Sequence, residues 1–240
     1  MVLAMHLYRR LMRRSRVFWL VLLASVPGLI IAVAGIDAGD LDDAIVGIML
    51  SVGFTYAIAA LILTVSTLRD ERDAGTLPYI YMRPMSRLSI AVSSILAGVM
   101  AAATIAVGGW LATLLAGLAH GADMSVILAG AALLLAAGVG YASVFVPVGY
   151  LFSRSVLVGL GYLILVELAL SGLVSGLAQL SIWRIAGSIY VDLLGDKGSE
   201  IPDELLTVAP GVGGGLAKLA VVLVLGTTVL TWALRRRDAL

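Results

Sequence analysis

Cysteine is absent from the 240 residues. That excludes disulfides, cysteine-ligated zinc, iron–sulfur ligation and thiol nucleophiles, and it leaves the redox compartment undetermined. Histidine is scarce: His6 lies in the N-terminal segment and His120 in a short loop with Asp123, a pair lacking the third ligand a metal site requires. Neither a metal site nor a catalytic residue is expected, since no Ser/His/Asp set and no His-Glu-x-x-His occurs. The phosphate-cradling Gly-x-x-x-x-Gly-Lys-Ser/Thr is missing too. Lys197 is followed by Gly198 and Lys218 by Leu219, and the Gly211–Gly215 cluster follows no strand. Charge is sparse, with 13% Asp, Glu, Lys and Arg and a net charge of +1, and no nucleic-acid partner is expected.

What the chain has instead is apolar sequence. Residues AVILMFWYC make up 61% of it, and the mean hydropathy is +1.07. A soluble fold of this length buries one core but cannot hide several runs of about 20 apolar residues, so the expected class is an all-α polytopic membrane protein. Six spans are predicted, at about 17–36, 44–68, 88–118, 125–152, 156–178 and 216–234, forming a single transmembrane domain over 17–240. The third is longer than a perpendicular crossing needs and should tilt or extend into the interface. Pro147 should kink the fourth, and Gly172 with Gly176 permits close helix contact in the fifth.

Residues 1–16 carry Arg9, Arg10, Arg13, Arg14 and Arg16, with Leu3, Leu7 and Leu11 at helical spacing. This reads as an amphipathic helix on the inner membrane surface, its arginines near anionic headgroups. A basic stretch before an apolar run also fits a cleaved signal. Here the run is a full span long and an acidic loop follows, which favours an uncleaved first span. The segment from Gln179 to Gly215 has Ile182, Ile185, Ile189 and Leu193 at helical spacing and excess acid. It is expected to be an outer-face amphipathic element, with Pro202, Pro210 and the glycine cluster as flexible punctuation.

Orientation follows from Lys and Arg. Arg9, Arg10, Arg13, Arg14, Arg16, Arg69, Arg72, Arg83, Arg87, Arg154, Arg235, Arg236 and Arg237 fall on one side of the six-span scheme. Arg184, Lys197 and Lys218 fall on the other. Both termini and the stretch from Arg69 to Arg87 are therefore expected to be cytoplasmic.

That stretch holds the densest charge between the two ends of the chain. Five consecutive charges, Arg69 to Asp73, cannot lie in hydrocarbon, so the segment is expected in water. Gly75 should break any helix running in from the second span. Thr76 is an N-cap residue type, and Pro78 falls in a first helical turn, where a missing N–H costs nothing. Leu77, Ile80 and Tyr81 share one face of a short helix, and Pro84 should stop that helix at Arg83. Most charge runs are solvated loops. The ordered break, cap, apolar face and proline stop argue instead for docking, with the apolar face pressed into a groove on another protein.

The stretch resembles the coupling segment of ABC transporter permeases of the ABC-type-2 family, which commonly carry a Glu-rich charged turn, Gly-Thr-Leu, a short helix and a Pro-x-Ser-Arg exit. The matching residues are Glu71, Arg72, Gly75, Thr76, Leu77, Pro84, Ser86 and Arg87, and the likeness is specific over about twenty residues. The resemblance implies a permease subunit of an ATP-driven exporter in the cell membrane. It implies pairing with a second permease copy, identical or similar, and docking of two ATPase subunits on the coupling helices. This chain would bind no cofactor, and ATP and Mg would be held by the separate ATPase.

Glu167 is the one ionisable residue deep in a span. An unpaired charge there is costly, so it is expected to face the protein interior. Two readings stand: it lines a translocation path, or it is hydrogen-bonded to a neighbouring helix through Ser171 or a tyrosine. Two other functional classes also remain. An ion-coupled secondary transporter would need intramembrane charges or broken helices in matching halves, and the sequence offers one Glu and no internal repeat. A non-transporting scaffold or sensor would show no ATP-dependent flux. The substrate is not legible, because the spans are generic Leu, Val, Ala and Gly.

The arginine distribution makes a direct prediction. Reporter fusions after Arg87, Arg154 and Leu240 should read cytoplasmic, and fusions at Asp40, Gly121 and Gly198 should read outside. A cytoplasmic signal at Gly198 would overturn the span count.

Overall fold

The computed structural model describes residues 2–13, 15–34, 41–82, 84–170, 179–195 and 211–237, and these are all-helical. In chain order the helices are α1 (Val2–Met12), α2 (Arg16–Ala34), α3 (Leu41–Asp73), α4 (Leu77–Tyr81), α5 (Arg87–His120) and α6 (Met124–Leu151). They continue with α7 (Ser155–Tyr162), which runs on as a π-helical segment (Leu163–Leu170), then α8 (Ile182–Leu194) and α9 (Gly211–Arg237). Among the described residues, α5, α6 and α9 are long and apolar enough to cross a membrane. At about 1.5 Å per residue, the 34-residue α5 is about 51 Å long, well beyond a hydrocarbon core of about 30 Å.

With apolar solvent outside, helices associate through close packing rather than through expulsion of water, and small residues set the approach. Gly28 of α2 lies against the backbone of Ala112 and Thr113 in α5, and Gly109 lies against Ala24. Gly138 meets Tyr56 and Gly149 meets Val65 along the α3–α6 seam. Gly140 meets Leu219, and Gly226 meets Ser143, along the α6–α9 seam. In each seam the residue numbers rise together, so these pairs are parallel. Across α5 and α6, Gly98 meets Val146 while Gly117 meets Ile127, and across α3 and α7, Gly159 meets Leu61 while Ser155 meets Arg69. Those pairs are antiparallel. Hence α2, α5 and α7 point one way, and α3, α6 and α9 the other.

The core on these seams is built from Tyr56, Leu61, Leu63, Ile105, Leu133, Tyr141 and Phe145. A second cluster gathers Leu3, Leu7, Leu68, Leu77, Ile80, Ile90, Tyr150 and Leu230 at the other end of the bundle. The α5–α6 hairpin is closed by Gly121 in the left-handed region (φ 81°), by Asp123 capping Ser125 at 2.8 Å, and by the Trp110 Nε1–H donating to the Ile127 carbonyl at 2.8 Å.

Three expectations are corrected. The apolar face of α1 does not rest on lipid: Leu3, Ala4, Leu7 and Leu11 are buried in the protein, and the Tyr8 hydroxyl lies 3.0 Å from Thr104 Oγ1 of α5. The helix of the second span runs on past Leu68 through Asp73, to the break expected at Gly75. Within the fifth span, α7 is not uniform α-helix but passes into the π-helical segment after Tyr162, and residues 171–178 lie outside the described residues. Ile182 N–H donates to Glu167 at 3.0 Å and the Tyr162 hydroxyl donates to the Leu180 carbonyl at 3.1 Å, so the chain has returned to the depth of 162–167 by residue 180. Finally, Gly211–Gly215 is not flexible punctuation but the first turn of α9, with Asp192 accepting from Val212 N–H at 2.7 Å. The Gly172/Gly176 pair and the acidic residues of 196–210 lie outside the described residues.

The α3–α6 seam offers a stability test. A Cβ on Gly149 would sit 2.1 Å from the Val65 carbonyl oxygen, and that oxygen is backbone that cannot rotate away. Gly149→Ala should therefore push α3 and α6 apart, at a cost of about 1–3 kcal/mol. Thermal unfolding in detergent should show the loss, whereas Gly161→Ala, with open space around it, should leave the midpoint near that of the parent.

Candidate functional site

The coupling stretch is built as its residue types dictate. Gly75 takes φ 67°, a left-handed conformation that turns the chain out of α3 at little cost only for glycine. Thr76 occupies the cap position of α4, but its hydroxyl does not cap the helix; it donates to the Glu71 carboxylate at 2.5 Å. Pro78 sits in the first turn as expected. Pro84 is exposed after the helix, and Ser86 caps α5 by accepting from Ser89 N–H at 3.1 Å. Arg83 lies outside the described residues.

Two expectations about this stretch are overturned. The Leu77/Ile80/Tyr81 face is not presented to the cytosol. Leu77 and Ile80 are buried against Leu3, Leu7, Leu68 and Ile90. Tyr81 is half-buried, its hydroxyl 2.9 Å from that of Tyr150 and its ring under the Arg87 guanidinium at 4.3 Å. The apolar face thus anchors α4 to its own chain, each aliphatic side chain contributing about 1.5–3 kcal/mol of burial. What α4 presents outward is Tyr79, 66% exposed, and Met82, 71% exposed. Glu71, in turn, is not a rim charge in water. It is 3% exposed and paired with Arg10 of α1 and with Thr76.

The neighbouring charges are tied down in the same way. Arg72 Nη1 donates to the Tyr150 carbonyl at 3.0 Å, satisfying an open carbonyl at the end of α6. Asp70 holds Arg16 at 2.7 Å, with Ser66 also accepting from Arg16 at 2.8 Å. Arg69 reaches Asp73 at 3.3 Å. The charged end of α3 is therefore a joint onto which α1, the start of α2, α4 and the end of α6 are fastened.

Glu167 belongs to a different place. It sits in the π-helical segment, and its carboxylate covers the N-terminus of α8: it accepts from Ile182 N–H at 3.0 Å, from Trp183 N–H at 3.4 Å, from Tyr162 at 3.3 Å and from the Ser181 hydroxyl. A helix N-terminus favours an anion, because its first N–H groups lack intrahelical partners. The tyrosine in the hydrogen-bonded reading is Tyr162; Ser171 lies outside the described residues. The α8 N-terminus is deep in the bundle, with Ile182 against Gly140 in α6 and Trp183 against Gly53 in α3. Alongside it is an apolar cavity of about 380 Å³ lined by residues that include Ser143, Pro147, Tyr162, Leu180, Ile182 and Gly226. Sequence reasoning missed Arg10, Tyr150, Ser181 and the Tyr79/Met82 pair. Only the last had a local signal, an i, i+3 apolar pair on the face opposite Leu77. The described residues contain no group of three or more His, Cys, Asp or Glu arranged to hold a metal.

The family model for ABC-2 family transporter proteins matches residues 12–184, from the end of α1 to the start of α8. The chain belongs to that family. It is a membrane protein of the permease type, a membrane subunit of an ABC transporter and not itself catalytic. A search of curated proteins finds no match to the chain. The match contains the charged end of α3, α4 and Glu167, and membership implies association with an ABC ATPase and with the membrane.

Replacing Glu167 by Leu should leave the Ile182 and Trp183 N–H groups and the Ser181 hydroxyl short of an acceptor, while Tyr162 keeps the Leu180 carbonyl, at about 1–3 kcal/mol for each buried group left unpaired. Glu167→Gln retains one acceptor oxygen and should unfold between Glu167→Leu and the parent. Thermal unfolding of the three proteins checks the order; equal midpoints for Leu and parent would show that the carboxylate does not hold α8.

Proposed function

We propose that the chain is the membrane-spanning subunit of an ATP-driven exporter in the cell membrane, with six crossings and both termini in the cytoplasm. Two copies, or this chain and a similar one, form the translocation path, and two separate ATPase subunits, which bind ATP and Mg, dock on α4. The alternation of helix directions supports six crossings. The side bias of the arginines supports the orientation.

The observation that carries the docking reading is the two-sidedness of α4. Its Leu77/Ile80 side is fixed to the chain, while Tyr79 and Met82 stand exposed on a helix joined rigidly to α1, α3 and α5. A push on Tyr79 and Met82 is thereby transmitted through packed side chains to the ends of three helices at once. In this reading ATP-driven closure of the two ATPases moves the α4 helices, and the bundle switches between two packed arrangements.

An aromatic or methionine anchor at the centre of an interface commonly contributes about 2 kcal/mol or more, which is about thirtyfold in affinity. Tyr79→Ala with Met82→Ala should lower ATPase pull-down by about that factor and abolish ATP-driven flux in vesicles, with thermal unfolding of the permease unchanged. Leu77→Ala should instead lower the unfolding midpoint, because it loosens the seat of α4. Normal ATPase binding by the Tyr79/Met82 variant would sink the assignment.

A further inference from the structure

We infer that α1 carries a binding site for the phosphate of an anionic phospholipid headgroup, formed by His6, Arg9 and Arg13 with Arg10 at its floor. These four side chains line a concavity of about 420 Å³. They follow the i, i+3, i+4, i+7 spacing of one helical stripe, on the face adjoining Leu3, Leu7 and Leu11. Because the apolar face is locked into the protein, the stripe has a fixed direction and does not roll.

The charges of the basic segment divide into two groups. Arg10 is paired with Glu71 and Arg16 with Asp70. Among the described residues, the side chains of Arg9 and Arg13 have no carboxylate partner, and both are exposed. Two guanidinium groups one turn apart with no internal counter-ion, and a ring N–H from His6 beside them, present the planar donors that bind phosphate oxygens in pairs.

The position of the stripe selects a lipid as the source of that phosphate. Three residues after Arg13 the apolar helix α2 begins, and its first exposed side chains are Phe18, at 67%, and Trp19, at 64%. Their rings meet edge-on at 5.6 Å, and exposed aromatic rings at the start of an apolar helix mark the headgroup level. Tyr8, inside the stripe's span, lies 3.0 Å from Thr104 of α5, so the stripe is seated on α5 beside the start of α2. Arg10 lines the concavity and also pairs with Glu71, so a bound phosphate shares a cation with the joint that holds α4.

The test uses the full chain, delipidated in detergent and offered phosphatidylglycerol or phosphatidylcholine, with bound lipid counted by native mass spectrometry. The parent should retain phosphatidylglycerol in preference. Arg9→Gln with Arg13→Gln should weaken that retention about thirtyfold, each basic side chain near an anionic surface contributing about fivefold. Both residues are exposed and unpaired, so folding should be unaffected. Arg235→Gln with Arg236→Gln, an equal loss of charge elsewhere, should leave retention unchanged. Equal retention of the two lipids, an equal loss in the Arg235/Arg236 variant, or displacement of the lipid by millimolar inorganic phosphate would overturn the lipid site. So would loss of ATPase pull-down with lipid retention intact, which would make the stripe a protein contact.

Discussion

A carboxylate buried at the end of a helix constrains everything packed around it. Glu71 is 3% exposed at the last turn of α3, and a buried charge persists only where a counter-charge and hydrogen-bond donors meet it. Arg10 supplies the first and Thr76 the second. Meeting that demand fixes α1 across the joint and sets the point at which the chain leaves Gly75 to form α4. The apolar faces of α1 and α4 then close over the same cluster with Ile90, Tyr150 and Leu230. A polar requirement and an apolar one are satisfied by a single arrangement, and this is what holds a five-residue helix in place.

The same logic recurs inside the bundle with the sign of the problem changed. There the exposed groups are the free N–H donors at the start of α8, placed deep among apolar helices where water cannot serve them. Glu167 and Ser181 supply the acceptors. A helix that begins in the interior and runs outward is possible only with such a cap. The π-helical segment that carries Glu167 widens the local turn of the backbone, a departure from α geometry that tends to occur where a side chain must be re-aimed. Two buried acidic side chains, one at the charged end of α3 and one inside the bundle, thus hold the short helices α1, α4 and α8.

These two fastenings differ in how many elements they join. The joint at Glu71 unites α1, α3 and α4, with Arg72 bonded to the end of α6. Contacts at α8 are made to the side chain of a single segment and to the seams with α6 and α9, where Gly140 and Gly215 allow close approach. Packing runs without a gap from α4 to α8 through α3 and α6, which touch at Gly149 and Gly138 and meet Ile182 and Trp183 at Gly140 and Gly53. The chain of contacts is continuous packing, the condition under which a small shift at one end becomes a switch between discrete arrangements.

The sequence by itself determined the all-helical membrane class and the break and first turn at Gly75 and Pro78. Runs of about 20 apolar residues leave a membrane helix as the one conformation that satisfies its own backbone, and Gly75 and Pro78 act within a turn of their own position, so local chemistry was enough. The family resemblance was legible for the same reason, since it rests on a contiguous stretch. What tertiary structure decided was which face of each amphipathic helix is covered. Leu77, Ile80 and Tyr81 form a visible stripe, but a stripe states only that something apolar lies opposite. Whether that is lipid, a partner or the chain's own α1 depends on residues far away in sequence: Leu3, Leu7 and Ile90 for α4, and α3–α5 for α1. The partners of Glu71 and Glu167 were illegible likewise, since a carboxylate's burial depends on which helices are parallel and at what depth. Helical periodicity contains no information about either.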